Sequence, residues 1–463
     1  MYLESLLHSA QGKTVRALVI GAGEYGFSFV FQARRARGLE VSAIHARKVE
    51  RGIAAFRHAG LQEDAISVCA SLREATAAME SGKVVVSDDA LMLMELPIDL
   101  VVEATGAPEA AAVHAEAALR NGKHVAMVSK EADCVVGPLL QRRAKAAGRV
   151  YTPVDGDQPS LLMQLVVWAR LIGLEVLCAG KSSEYDFVYD PAAKRVTSLD
   201  RSIEAPDLHT LWDLGKRNAR SVVEARAHAL EAIPQHTVPD LVEMGLVANA
   251  CGLGVDTPAF HAPILRTPEV ADILVPAAMG GILNMGGVVD VVNLLRRPDE
   301  ASFAGGVFVV VRCEDRRTWE VLRAKGHVVS RSGESAMIYR PSHLLGVESA
   351  TTVLSAVLHG RSSGPDDVRP CFDVVGRTTK PLAAGTILAA VGHHHQIDGV
   401  EGLLVEARSA TGANPIPFYM MANNSLMRDV PAGAIITADM VAPPKDSRLW
   451  GLRRELEKTF GLS

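Results

Sequence analysis

Val15-Arg16-Ala17-Leu18-Val19-Ile20-Gly21-Ala22-Gly23-Glu24-Tyr25-Gly26 joins an apolar run to a glycine-rich turn and then to a helical pattern. A G-x-G-x-x-G that follows a strand directly and opens a helix is in the context where the motif binds a dinucleotide. Gly21 permits the tight turn, Gly23 lets the backbone approach a pyrophosphate, and Gly26 lets helix and strand pack closely. The diphosphate is expected on the helix N-terminus, where free amides and the helix dipole favour anions. Gly21, Ala22, Gly23, Glu24, Tyr25 and Gly26 are therefore the first cofactor-binding candidates.

From Val15 to Val154 short apolar runs alternate with amphipathic stretches, the rhythm of strand-helix units in a parallel sheet. The expected strands are Val15 to Ile20, Leu39 to Ile44, Leu100 to Glu103, His124 to Val128 and Val150 to Val154. Helices are expected from Tyr25 to Arg37 and from Pro108 to Asn121, and the Ala-rich insertion Val49 to Leu96 is helical in pattern. The fold class is α/β: a doubly wound Rossmann sheet, then an α+β substrate or dimerisation domain, then a small β-rich module. A helix from Ser160 to Ile172 and a strand around Leu174 to Ala179 begin the second domain, and a polar stretch through Tyr185, Asp190, Asp200 and Asp213 follows. The strand Gly306 to Cys313 and the helix Ser349 to Leu358 can close the second domain or return to the first. The boundaries are 1–155, 156–365 and 366–463.

At 463 residues the chain is too long for one ordinary core, since roughly 150 residues make a domain. With 48% hydrophobic and 22% charged residues it has the balance of a folded globular protein. A net charge of -5 gives no general attraction to phosphate backbones or anionic membranes, so no nucleic acid and no membrane partner is expected. A small-molecule substrate and a homo-oligomeric assembly are. Cys69, Cys134, Cys178, Cys251, Cys313 and Cys371 show no CxxC spacing, which fits a reducing, cytoplasmic setting. Met1 to Gly12 lacks the basic and apolar regions of a signal peptide.

The second strand ends in His45-Ala46-Arg47-Lys48, where an acidic residue would bind the ribose of NAD. Arg47 favours NADP(H), with NAD as the second candidate; a solvated basic turn is the plain alternative. Ala104, Thr105 and Gly106 offer small residues where a nicotinamide ribose would pass, or form an ordinary turn. For catalysis, Lys130 follows the strand His124 to Val128 at the carboxyl edge of the sheet, and Lys181 follows the strand Leu174 to Ala179. Lysine serves as a proton donor or acceptor when burial or a neighbouring cation lowers its pKa, although each on its own reads equally as a surface lysine. Asp157, Asp240 and Glu243 are the acidic candidates. Asp240 and Glu243, three apart, share one helix face, and Asp240 also suits a helix start. His393-His394-His395 is no metal site on this reading, because consecutive residues cannot converge on one ion from a strand. No metal ligand is assigned.

Gly21 to Gly26, His124 to Asp133, Gly156 to Pro159, Ala179 to Lys181, Val242 to Leu253 and His343 to Gly360 together resemble the homoserine-dehydrogenase-like oxidoreductases with a C-terminal SAF domain. That family includes the second type of 1-deoxy-D-xylulose 5-phosphate reductoisomerase, and the segment with Arg428 to Gly433 and Thr437 to Val441 is similar to its SAF module. The resemblance implies further lysines near Ser183 and Pro239, which this chain lacks, while Lys130 is similar to the lysine of homoserine dehydrogenases. It implies an oxidoreductase acting on a small polyhydroxylated or hydroxy-acid, sugar-derived metabolite, with isomerisation as an optional coupled step. The alternatives are the reductoisomerase reaction itself and a non-catalytic nucleotide-sensing or carbohydrate-binding protein. Residues from about Val368 onward are expected to add little direct chemistry.

Overall fold

The computed structural model describes residues 2–392 and 395–463. Seven strands form the first sheet: β1 (Val15–Ile20), β2 (Leu39–His45), β3 (Ile66–Val68), β4 (Val84–Ser87), β5 (Leu100–Glu103), β6 (His124–Met127) and β7 (Tyr151–Pro153). Their order is β3-β4-β2-β1-β5-β6-β7 and every pairing is parallel. The order reverses between β1 and β5, and open α/β sheets bind ligands at the carboxyl ends of strands flanking such a reversal. Successive residues of a strand face opposite sides. Leu18 and Ile20 accordingly pack in one cluster, and Ala17 and Val19 in another. The second cluster contains Val353, Leu354 and Ala356, so the helix Ala350–His359 returns to the first sheet.

The insertion read as helical carries β3 and β4, which extend the sheet at one edge. These strands are three and four residues long, too short to show a period against their alanine-rich flanks. The glycine-loop helix is Glu24–Ala33, shorter than expected at its C-terminal end.

The second sheet is mixed. It contains β8 (Val176–Ser182), β9 (Phe187–Asp190), β10 (Arg195–Ser198), β11 (Arg201–Glu204), β12 (Gly254–Val255), β13 (Ile264–Leu265), β14 (Val288–Arg296), β15 (Val307–Arg312) and β16 (Ser335–Arg340). Its path is β11-β10-β9-β14-β8-β15-β16, with β12 and β13 paired to β14. The polar stretch after Tyr185 is thus three strands; antiparallel strands with a solvated face need not be apolar throughout. β8 reaches Ser182, so Lys181 lies within the strand and not after it. Two helices cover this sheet near the site, Gln158–Leu171 and Val238–Cys251.

β17 (Phe372–Thr378) and β18 (Val400–Glu406) form a small antiparallel sheet amid glycine turns, followed by the helix Arg448–Phe460. Arg453 on that helix is fully buried. It donates to both oxygens of Asp373 at 2.8 and 2.6 Å and to Glu457 at 2.8 Å, which ties the last helix to β17. No helix among the described residues is long and apolar enough to cross a membrane.

Candidate active site

Gly21 has a φ of +113°, and a β-carbon there would clash with the carbonyl of Ala104. Gly26 approaches the carbonyl of Gly21 just as closely, while a β-carbon at Gly23 would meet nothing within 4 Å. Two glycines therefore close the turn, and the third leaves bare backbone beside open space. That is the arrangement a pyrophosphate requires at the amino end of Glu24–Ala33, and on this observation the residues present fit a dinucleotide. Arg47 is exposed just past β2. At the end of β5 the Thr105 hydroxyl donates to the fully buried Glu103 at 2.7 Å, and the Gly106 amide donates to the Ser129 hydroxyl at 2.8 Å. Glu103 also contacts Nδ1 of His114 at 3.1 Å.

The candidate catalytic side chains come from the beginnings of three helices and from one strand, and both lysines converge on Glu243. Ser129 precedes the helix that Lys130 opens. Asp157 caps the helix Gln158–Leu171, accepting the Gln158 amide at 3.0 Å. Thr237 caps Val238–Cys251, so Asp240 and Glu243 lie in its first two turns. Lys130 donates to one oxygen of Glu243 and Lys181 to the other. Lys181 also lies 2.7 Å from Asp240 Oδ1, and Lys130 lies 3.3 Å from Asp157 Oδ1. Asp240 Oδ2 accepts the Ser183 hydroxyl at 2.9 Å. The side chain of Lys181 is 2% exposed and that of Lys130 is 26% exposed, so the cluster opens outward at Lys130.

The electrostatics correct one expectation. Burial disfavours the charge on both lysines, but Asp157 and Glu243 beside Lys130, and Asp240 and Glu243 beside Lys181, outweigh it and hold both ammonium groups above their usual range. Burial likewise disfavours the charge on Glu243, and the two lysines overcome it and depress its pKa. Neither lysine has the lowered pKa anticipated for a lysine base. As cations they donate hydrogen bonds to a substrate oxygen.

Sequence reasoning passed over a second group. Burial, opposed in part by its own backbone amide and by Lys130, pushes the Glu131 carboxyl up to about 7. His395, from the C-terminal module, lies with Nδ1 3.8 Å from Glu131 Oε1 and shares a 2.6 Å hydrogen bond with the Tyr419 hydroxyl. The module therefore reaches the lysine cluster, although little chemistry was expected of it. His393 and His394 lie outside the described residues. Among those described, no group of three or more histidine, cysteine, aspartate or glutamate side chains is placed to hold a metal. A cavity of about 910 Å³ at the opposite, amino ends of the strands, beside Lys13, Arg34 and Lys83, is remote from this chemistry.

Comparison with known proteins matches two parts of the chain to family models of oxidoreductases. Residues 156–349 match the family model "Oxidoreductase DRL, catalytic domain", and residues 27–153 match "Homoserine dehydrogenase, NAD binding domain". Both models describe oxidoreductase domains, the second of them one that binds NAD. A stretch of 50 residues, 11% of this chain, is 46% identical to 1-deoxy-D-xylulose 5-phosphate reductoisomerase from Thermus thermophilus and spans 14% of that protein. Among solved structures, an oxidoreductase from Agrobacterium radiobacter in complex with NAD+, L-tartaric acid and magnesium is 14% identical; 38% of this chain aligns with 45% of that one, at a TM-score of 0.26. The myo-inositol dehydrogenase from Lactobacillus casei in complex with NAD(H) and myo-inositol is 19% identical, covering 38% of this chain and 47% of that one at a TM-score of 0.28. The chain thus spans less than half the length of either.

Proposed function

We propose that the chain oxidises or reduces a small polyhydroxylated or hydroxy-acid, sugar-derived metabolite with NADP(H). The observation that carries this reading is the charge of the cluster. Two ammonium groups, Lys130 and Lys181, face three carboxylates, Asp157, Asp240 and Glu243. No surplus positive charge remains for a phosphate dianion, whose desolvation needs strong cationic donors in return. Hydroxyl groups suit the same surface, since they donate to carboxylates and accept from Lys130.

When bound, the nicotinamide ring supplies or accepts the hydride. Gly21 to Gly26 would hold its diphosphate, Thr105 and Gly106 would flank its ribose, and Arg47 would meet a 2'-phosphate. Lys130, the more exposed cation, donates to the reacting oxygen, and Asp157 and Glu243 orient it. Lys181 keeps Glu243 and Asp240 in place. In this reading residues 366–463 are an SAF-like module. A homo-oligomer fits the exposed apolar end of Gln158–Leu171, where Leu171 is 83% and Ile172 53% exposed.

The match to the Thermus reductoisomerase favours a second reading, reductoisomerisation of deoxyxylulose phosphate. Purified protein assayed with NADPH against sugar-derived ketones, keto acids and deoxyxylulose phosphate decides between them. Turnover of an unphosphorylated substrate is expected. Efficient formation of methylerythritol phosphate overturns the first reading and installs the second.

A further inference from the structure

Both lysines are locked as cations, so a proton exchanged with solvent near neutral pH needs another station. A group that titrates close to the working pH moves protons most effectively. Glu131 is the next residue after Lys130, and its carboxylate lies 3.9 Å from where a β-carbon of Gly106 would stand, on the loop at the end of β5. It is 14% exposed, and no lysine or arginine lies within ion-pair distance of it among the described residues. The groups that face it are Lys130 and Cys134 on its own helix, Glu103 on β5, Asp157 at the start of Gln158–Leu171, and His395 with Tyr419 on the C-terminal module. Glu103 and Asp157 resist its ionisation, Lys130 favours it, and among the described residues His395 is the neighbour that titrates in the neutral range when unperturbed.

The geometry of His395 is unusual for a plain surface turn. Its backbone φ is +49°, which is uncommon for a residue with a side chain. Its ring is only 26% exposed, stacked edge-on against Tyr419 with centroids 5.5 Å apart. One side of the ring is thus fixed by Tyr419, and the same Nδ1 edge faces Glu131. A small ring rotation that turns Nδ1 from the Tyr419 hydroxyl toward Glu131 closes the 3.8 Å separation.

We propose that the C-terminal module enters the active site through His395, which exchanges a proton with Glu131 and so sets the charge presented to Lys130. The exchange is a simple transfer: protonated Glu131 and neutral imidazole become carboxylate and imidazolium, and the imidazolium then releases the proton to water. The reverse sequence delivers a proton inward. Both residues act through Lys130 and are positioning residues in that sense. The inference deepens the function proposed above and rests on its assignment of Lys130.

The test uses full-length protein with 15N-labelled histidine, following His395 by NMR across the neutral range. A neighbouring carboxylate within 4–6 Å raises a histidine pKa by about one unit or more. His395 is therefore expected to titrate at least about one unit lower in Glu131→Gln than in the native protein. In turnover, kcat in the reductive direction should fall as the pH rises through about 7, the value to which burial raises Glu131. Glu131→Gln should remove that limb, and His395→Asn should lower kcat about tenfold with KM unchanged. If Glu131→Gln fails to fold, the Glu131 carboxyl carbon is followed instead in native protein and in His395→Asn, where loss of the imidazolium should raise its pKa. An identical titration with and without the partner overturns the proposal. A coupled titration in a protein that turns over no hydroxylated substrate overturns the function assigned to Lys130 and leaves the pair standing.

Discussion

Lys181 lies 2.7 Å from Asp240, both almost wholly buried, with Glu243 accepting a second hydrogen bond from the same ammonium. Removing one partner of a buried ion pair leaves the other charged and unsolvated, at a cost of about 3–5 kcal/mol. Lys181→Ala is expected to lose about that much stability in urea denaturation and nearly all turnover. Lys181→Met with Asp240→Asn should recover part of the stability and none of the activity. Equal stability of Lys181→Ala and the native protein would mean that the carboxylates are solvated.

The same cluster sets a pH window. Glu243 is held below its ordinary value, so the stability it gives is present above about 4.5 and is lost as the pH falls toward about 2. Lys181 is shifted upward, so its contribution is complete below about 10.5 and fades as the pH rises through the raised value. Glu131 and Asp133 act in the opposite sense. Burial raises them to about 7 and about 6, so stability should decline as the pH climbs through the range between the ordinary carboxylate values and these raised ones. Glu131→Gln should flatten that decline, which chemical denaturation measured from pH 4 to pH 8 would register.

Much of the first domain was legible because its signals are local. The run Val15 to Ile20, the glycines after it and the helix that follows are contiguous, and contact along the chain and period suffice to read them. The roles of β9 to β11 were not legible, since short half-solvated strands carry no continuous apolar run. Lys130, Lys181, Asp157, Asp240 and Glu243 were each visible as candidates, yet nothing in the sequence says that Glu243, 113 residues beyond Lys130, bridges the two lysines. That contact reversed the expected direction of the lysine pKa shift. Glu131 and His395 meet across a still longer separation, and no local pattern marks them.

Gly21→Ala is expected to abolish nicotinamide-nucleotide binding. Its φ of +113° disfavours any β-carbon, and the added methyl would collide with Ala104, forcing β1 and β5 apart at their carboxyl ends. Gly23→Ala should keep the fold, because a β-carbon there meets nothing, yet it should weaken binding by occupying the approach to the backbone. Fluorescence titration with NADPH and a thermal melt separate the two. A melt as low for Gly23→Ala as for Gly21→Ala would count against the pyrophosphate assignment.

Arg47 gives the cofactor preference its test. It follows directly on the end of β2, is exposed, and has no carboxylate within ion-pair distance among the described residues, so its guanidinium is available to an incoming anion. A 2'-phosphate offers charge-assisted, bidentate hydrogen bonds to a guanidinium, whereas the 2'-hydroxyl of NAD offers one weak partner. NADPH should therefore bind more tightly than NADH. Arg47→Ala should erase most of that preference by weakening NADPH about tenfold or more, which corresponds to the loss of about 1.4 kcal/mol or more, and should leave NADH nearly unchanged. Arg47→Lys should keep part of the preference, since lysine meets the phosphate as a point charge without the paired geometry. The affinity difference in the native protein should also shrink with added salt, as expected of an exposed ion pair. Equal affinities of the native protein for the two nucleotides at low salt would remove Arg47 from the site and leave the residues Gly21 to Gly26 as its defined part.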